Sequence, residues 1–147
     1  MNITTKTFSE LTIKELYQIL QLRSEVFVVE QDCVYQDVDG KDEKSLHLFG
    51  VNNKNKIIAY TRLFKPGDYF KEASIGRIVV AFEERGHGYG HNLMKASIKA
   101  IKDRFKCDTV SISAQKQLKF FYKTHSFDQI GKEYLEDGIP HIKMIKN

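Results

Sequence analysis

Ile78-Val79-Val80-Ala81-Phe82-Glu83-Glu84-Arg85-Gly86-His87-Gly88-Tyr89-Gly90-His91 runs out of an apolar strand, through a glycine-rich loop and into a helix. The strand begins near Ala73, and its nearly continuous apolar end predicts burial on both faces. The helix shows in Leu93, Met94, Ser97, Ile98, Ile101 and Phe105, which recur at helical spacing, with Lys95, Lys99 and Lys102 on the other side. Three glycines in five positions let backbone approach a ligand closely and aim several N–H groups at one point. The helix start adds unpaired N–H groups and about half a positive charge. Such a loop suits phosphate or pyrophosphate, although a glycine loop alone also makes an ordinary turn. A P-loop needs Gly-Lys followed by Ser or Thr, which is absent here. A dinucleotide-binding loop needs G-x-G-x-x-G inside a βαβ unit. Here the spacing is G-x-G-x-G, and the strands before it read as a meander.

Outward from this segment the chain alternates short strands and helices. Ile3 to Phe8 reads as a strand. Thr12-x-x-Glu15 is a capping box that opens a helix reaching, whole or broken, to about Glu30. Leu46 to Val51 and Lys56 to Phe64 are strands joined by a turn at Asn52-Asn53-Lys54-Asn55. Val110, Ile112 and Ala114 alternate with Ser111 and Ser113 as a further strand, and Gln117 to Thr124 reads as a short helix. Phe127 to Leu135 and Ile139 to Ile145 flank Glu136-Asp137-Gly138, a turn with glycine where positive φ is cheap. The order β-α-β-β-β-α-β-α-β-β makes a mixed α+β sheet.

Composition narrows the class. The 147 residues fit one domain over residues 1–147, and 41% hydrophobic content supplies a core without disulfide staples. Cys33 and Cys107 do not form a framework, so a reducing, cytoplasmic setting is expected. No apolar run approaches the ~20 residues of a membrane helix. The net charge of +4 suits an anionic ligand without demanding nucleic acid, because the bases are spread out. Glu30, Asp32, Asp37, Asp39, Asp42 and Glu43 make one stretch acidic. It is expected to be an exposed, solvated loop; the sharper alternative is a lip attracting a cationic amine.

Arg85-x-x-Gly88-x-Gly90 resembles the R/Q-x-x-G-x-G/A element of the GNAT N-acetyltransferase superfamily. Downstream, Gln115-x-x-Leu118-x-x-Phe121-Tyr122-x-x-x-Ser126-Phe127 is similar to the family's N-x-x-A-x-x-L/F-Y-x-x-x-G-F pattern. Arg23-x-x-Val26-Phe27-Val28-Val29-Glu30-Gln31, Tyr35-Gln36-Asp37-x-Asp39-Gly40 and the tail Glu136 to Ile142 resemble the ElaA-like branch. The likeness covers nearly the whole chain. It implies a mostly antiparallel sheet of six or seven strands flanked by helices, with a V-shaped gap between the fourth and fifth strands for acetyl-CoA. Gln115 and Leu118 depart from the pattern, and Ser126 stands where glycine is usual, so that turn is expected to be differently shaped or slightly strained. Arg77 falls where many relatives place a carboxylate facing the acceptor.

The resemblance implies direct attack of a primary amine on the acetyl thioester, with acetyl-CoA as cosubstrate and no metal. A small-molecule amine is the expected acceptor; a protein lysine or N-terminus, or a noncatalytic acyl-CoA sensor, are the alternatives. The donor would be held by Ile78, Val79, Val80, Arg85, Gly86, His87, Gly88, Tyr89, Gly90, His91, Gln115, Phe121 and Tyr122. Tyr122 is the candidate general acid, and His141 and His47 are candidate bases. Arg62 and Arg77, on neighbouring strands, would grip an anionic group of the acceptor or else cap local carboxylates, and Glu30 would face the acceptor. His87-x-x-x-His91 has the spacing of a zinc pair but lacks the Glu that would follow it. Lysines and aromatics between Lys116 and Lys123 fit an amphipathic helix better than an RNA surface. No nucleic-acid or membrane partner is expected, and a homodimer is left open.

Overall fold

The computed structural model describes residues 1–147. Its elements are β1 (Asn2–Thr7), α1 (Ile13–Arg23), β2 (Leu46–Val51), β3 (Ile57–Phe64), β4 (Ala73–Val80), α2 (Tyr89–Phe105), β5 (Val110–Gln115), α3 (Lys119–Lys123), β6 (Asp128–Glu136) and β7 (Ile139–Lys146). The seven strands form one sheet in the order β1-β2-β3-β4-β5-β7-β6. Neighbours run antiparallel except β4 and β5, which are parallel because α2 crosses between them.

Local chemistry places the ends. The Thr12 hydroxyl accepts the Glu15 N–H at 3.0 Å, and the Glu15 carboxylate accepts the Thr12 N–H at 2.8 Å, closing the capping box of α1. After Arg23 the coil widens into a π-helical segment, Ser24–Glu30, which is the break in the expected long helix. It brings Val26, Phe27 and Glu30 to the central cleft. The β6–β7 hairpin turns on Asp137 (φ +51°) and Gly138 (φ +76°), two successive left-handed residues that match the twist of the strands. Ser126, at φ +68°, holds the left-handed turn position with a side chain.

The core lies along β3, which is buried along its whole length. Leu93, Met94 and Ile101 of α2 and Ile19 and Leu22 of α1 cover it. Each such side chain contributes roughly 1.5–3 kcal/mol on burial. One polar pair crosses this interface, Thr61 with Ser97 at 2.8 Å, so neither buried hydroxyl is left unpaired.

β4 corrects one expectation. It is not buried on both faces throughout: its second half, apart from Val79, is only half-buried. The cause is a bulge. From Gly76 to Val79 β4 takes three residue steps while β3 takes two, from Arg62 to Tyr60. The extra residue falls at Arg77, whose φ is +49°. Beyond it β4 leaves β5, and the two pair only at Ala73–Val110 and Ser74–Ser111. The sheet opens from there into a V.

Candidate active site

The V is a cleft of about 570 Å³. Its two halves are built from different chemistry, and both halves draw on β4.

The first half is the glycine loop. Gly86 (φ +85°) and Gly88 (φ +77°) are left-handed, and a Cβ on either would meet no atom within 4 Å. The glycines therefore serve the backbone turn and leave the space above them open. Gly90 serves packing, since a Cβ there would lie 3.3 Å from the Phe121 ring. The first intrahelical bond of α2 runs from Asn92 N–H to Gly88 O at 3.2 Å. The N–H groups of Tyr89, Gly90 and His91 have no acceptor in the protein, which makes this end of a 17-residue helix receptive to an anion. Arg85 takes another part: its Nε donates to Val80 O at 3.1 Å and its fork grips Glu30 at 2.8 and 3.0 Å. It ties the loop to the π-helical segment. His91 lines the cleft and its Nδ1 lies 2.9 Å from His125 Nε2, while His87 leans on Tyr89 outside the lining. Gln115 lines the cleft and binds Gln31 and Gln117.

Midway along, Ile78, Val79 and Val80 line the cleft, and past Ser74 the β5-facing edge of β4 has no strand partner. Tyr122 stands opposite on α3, with 4% of its surface exposed. Its hydroxyl has no hydrogen-bond partner in the protein, and burial pushes its pKa above the ordinary tyrosine value, which keeps it protonated at neutral pH.

The second half holds the surprise. The loop between Gln31 and Ser45 is a solvated acidic surface only in part: Asp32 and Glu43 are exposed, but Asp37, Asp39 and Asp42 are drawn onto arginines. Arg23 Nε donates to Asp37 at 2.8 Å and its Nη1 to Asp42 at 2.7 Å. Arg62 forks onto Asp39 at 2.8 Å twice and reaches Asp42 at 3.0 Å. Arg77 Nε lies 2.7 Å from Asp37 Oδ1, off the N–H direction, so that contact is ionic rather than a hydrogen bond. Three arginines thus neutralise three aspartates, with Arg23 and Arg62 all but wholly buried. Burial alone would raise the Asp39 pKa, but the Arg62 guanidinium outweighs it and holds the carboxyl below its usual range. Arg62 and Arg77 line the cleft, yet their charges are spent on this loop, which corrects the reading of them as an anion grip. Neither of the acidic loop's expected roles fits Asp37, Asp39 or Asp42. Glu30, expected to face the acceptor, is engaged by Arg85.

His47 is corrected as well. It is wholly buried outside the cleft lining, with Nδ1 2.6 Å from Tyr60 Oη and Nε2 2.9 Å from Asp42 O. Burial lowers its pKa. It props the acidic loop. His141 does reach the cleft: its Nδ1 donates to Ile139 O at 2.7 Å and its Nε2 lies 3.2 Å from Glu136 Oε2. The cleft is lined as well by Ser113, Glu136, Tyr35, Phe64, Tyr69 and Phe70, none of which the sequence singled out for the site. For Ser113 a signal was present, because the alternation of its strand puts it on the same face as Gln115.

The fold and the cleft have counterparts. The model of the acetyltransferase (GNAT) domain matches residues 5–147. The chain belongs to the GNAT acetyltransferase family. An acyl-CoA N-acyltransferase from Pseudomonas aeruginosa superposes with a TM-score of 0.93 at 40% identity, covering 100% of both chains. ElaA of Escherichia coli superposes with a TM-score of 0.91 at 36% identity, again over 100% of both. The UPF0039 protein sll0451 of Synechocystis is 38% identical over 145 residues, 99% of this chain and 94% of that one. The GNAT chain described here is accordingly an acyl-CoA-dependent N-acyltransferase of the ElaA-like branch. No helix of it is long and apolar enough to cross a membrane.

Proposed function

We propose that this GNAT chain transfers the acetyl group of acetyl-CoA to a primary amine on a small molecule, by direct attack on the thioester. The observation that carries the reading is the continuous cleft, with unpaired α2 N–H groups at one end and the Tyr122 hydroxyl midway. The pyrophosphate fits the glycine loop, and the pantetheine arm fits the unpaired edge of β4 as an added strand would. Backbone donors on that edge suit the developing oxyanion. An alkylamine, with a pKa of ~10.4, must lose a proton before it attacks, and the departing thiolate must gain one. Tyr122 supplies the second proton in this reading, and His141 takes the first. The acceptor end is walled by the loops before β2 and β4, which favours a small molecule over a protein lysine. The two free cysteines fit a reducing, cytoplasmic setting.

Calorimetric titration with acetyl-CoA, CoA and ATP tests the donor. Micromolar binding of acetyl-CoA without binding of ATP is expected, followed by thiol release on addition of an amine. A folded sample that ignores acetyl-CoA would reduce the glycine loop to a turn and end this reading.

A further inference from the structure

Carboxylates near the cleft are mostly matched by bases. Asp37, Asp39 and Asp42 have the three arginines, Glu30 has Arg85, and Glu72 has Lys143 at 3.4 Å. The β6–β7 hairpin is different. It brings Glu136 and Asp137 into the cleft lining, and neither has a lysine or arginine partner; Glu84, the other unmatched carboxylate of the lining, lies at the glycine-loop end. Glu136 is 41% exposed on its side chain, open to a ligand, yet held in place. Its Oε1 accepts the Ser113 hydroxyl at 3.1 Å and its Oε2 faces His141 Nε2.

His141 is set by its other nitrogen. A carbonyl accepts only, so Nδ1 carries the proton it gives to Ile139 O. Nε2 is left as the nitrogen that can exchange a proton, beside a carboxylate that would hold a proton carried there. The ring stacks on Tyr134 at 6.2 Å and 26°, which fixes its plane. In the same cleft stands an aromatic wall. Phe64 and Tyr69 stack at 5.1 Å, and Phe70 meets Tyr69 edge-on at 4.8 Å. A negative seat beside an apolar wall matches one kind of acceptor.

We propose that the acceptor is a primary ammonium ion on an apolar, aromatic-sized body, its ammonium seated on Glu136, its body against Tyr69 and Phe70, with buried Phe64 backing Tyr69. The proposal rests on the acyl-transfer reading above. The ammonium gives one proton to His141 Nε2, and Glu136 holds the imidazolium. The free amine then attacks the thioester carbon: a C–N bond forms, the C–S bond breaks, and the thiolate takes the Tyr122 proton. The nitrogen's second proton returns to Tyr122, and the first leaves His141 for water. The products are the amide, the free thiol and one proton.

The probes are 2-phenylethylamine and its neutral counterpart 2-phenylethanol, titrated calorimetrically into the CoA-bound wild type and the Glu136→Gln variant. The amine is expected to bind the wild type at least 10-fold more tightly than the alcohol. Glu136→Gln is expected to cost the amine at least 10-fold and to leave acetyl-CoA affinity unchanged. Equal affinity for amine and alcohol, no amine binding, or an unchanged variant would overturn the seat. The wild-type comparison needs no folded variant. The same titrations repeated without CoA separate the two claims: absent acetyl-CoA binding defeats the acyl-transfer reading, while amine binding that depends on Glu136 decides the seat.

Discussion

Replacing Tyr122 with Phe removes one hydroxyl from a ring held by edge contacts to Phe121 and Phe127 at 5.1 and 6.4 Å. Because that hydroxyl has no protein partner, its loss leaves no buried group stranded. Tyr122→Phe is therefore expected to keep the fold and the acetyl-CoA affinity while turnover falls by roughly 10²–10⁴, the usual worth of a general acid. Steady-state kinetics beside calorimetry reads both; unchanged turnover would remove Tyr122 from the proton path. Gly88 predicts the reverse pattern. A side chain at φ +77° costs roughly 1 kcal/mol of backbone strain and occupies the open space above the loop. Gly88→Val should abolish acetyl-CoA binding as judged by calorimetry, with only a modest drop in melting temperature.

At the scale of elements, the loop from Gln31 to Ser45 hangs on its arginines. Arg62→Ala would leave buried Asp42 and half-buried Asp39 each without one counterion, and about 3 kcal/mol of destabilisation is expected. Urea denaturation measures it, and the double variant Arg62→Ala with Asp39→Ala should recover part of the loss. This loop also shows where sequence reading stopped. Strand ends and the capping box were legible because periodicity and turn chemistry act locally. The acidic run looked solvated because its partners Arg23, Arg62 and Arg77 sit on three separate elements, and nothing along the chain announces their convergence. His47 misled for the same reason, since a histidine opening a strand carries no sign of depth. Glu136 read as a turn residue and as part of the tail's family likeness, and it reaches the cleft through a hairpin that folds back on β5.

The whole molecule should lose stability to acid in two stages. Burial lowers the folded pKa of His47 and of His125, the latter helped by neighbouring His91. A lowered histidine pKa means that the unfolded chain takes up protons first, so stability is full above the unfolded value of ~6.5 and falls as pH drops below it. Asp42 is buried and Asp39 half-buried, which alone would raise their pKa, but their arginine partners lower it. Their contribution is full above the unfolded value of ~3.9 and declines as pH falls toward the depressed folded values. Melting temperature against pH should thus show one decline beginning near ~6.5 and a second near ~4. His47→Gln should flatten the first limb and Asp39→Asn the second; a single smooth decline would contradict the assignment.

Only two residue pairs join β4 to β5, so the sheet is nearly two sheets, one of four strands and one of three. A molecule lying along the bare edge of β4 would stand in for ladder that the polypeptide does not make. Occupancy and cooperativity then become one property: an empty protein can breathe along this seam, with β5, β6 and β7 exchanging amide hydrogens ahead of β2 and β3. A filled one is sutured, gaining about 2.7 kcal/mol when the ligand stands at 100 times its dissociation constant.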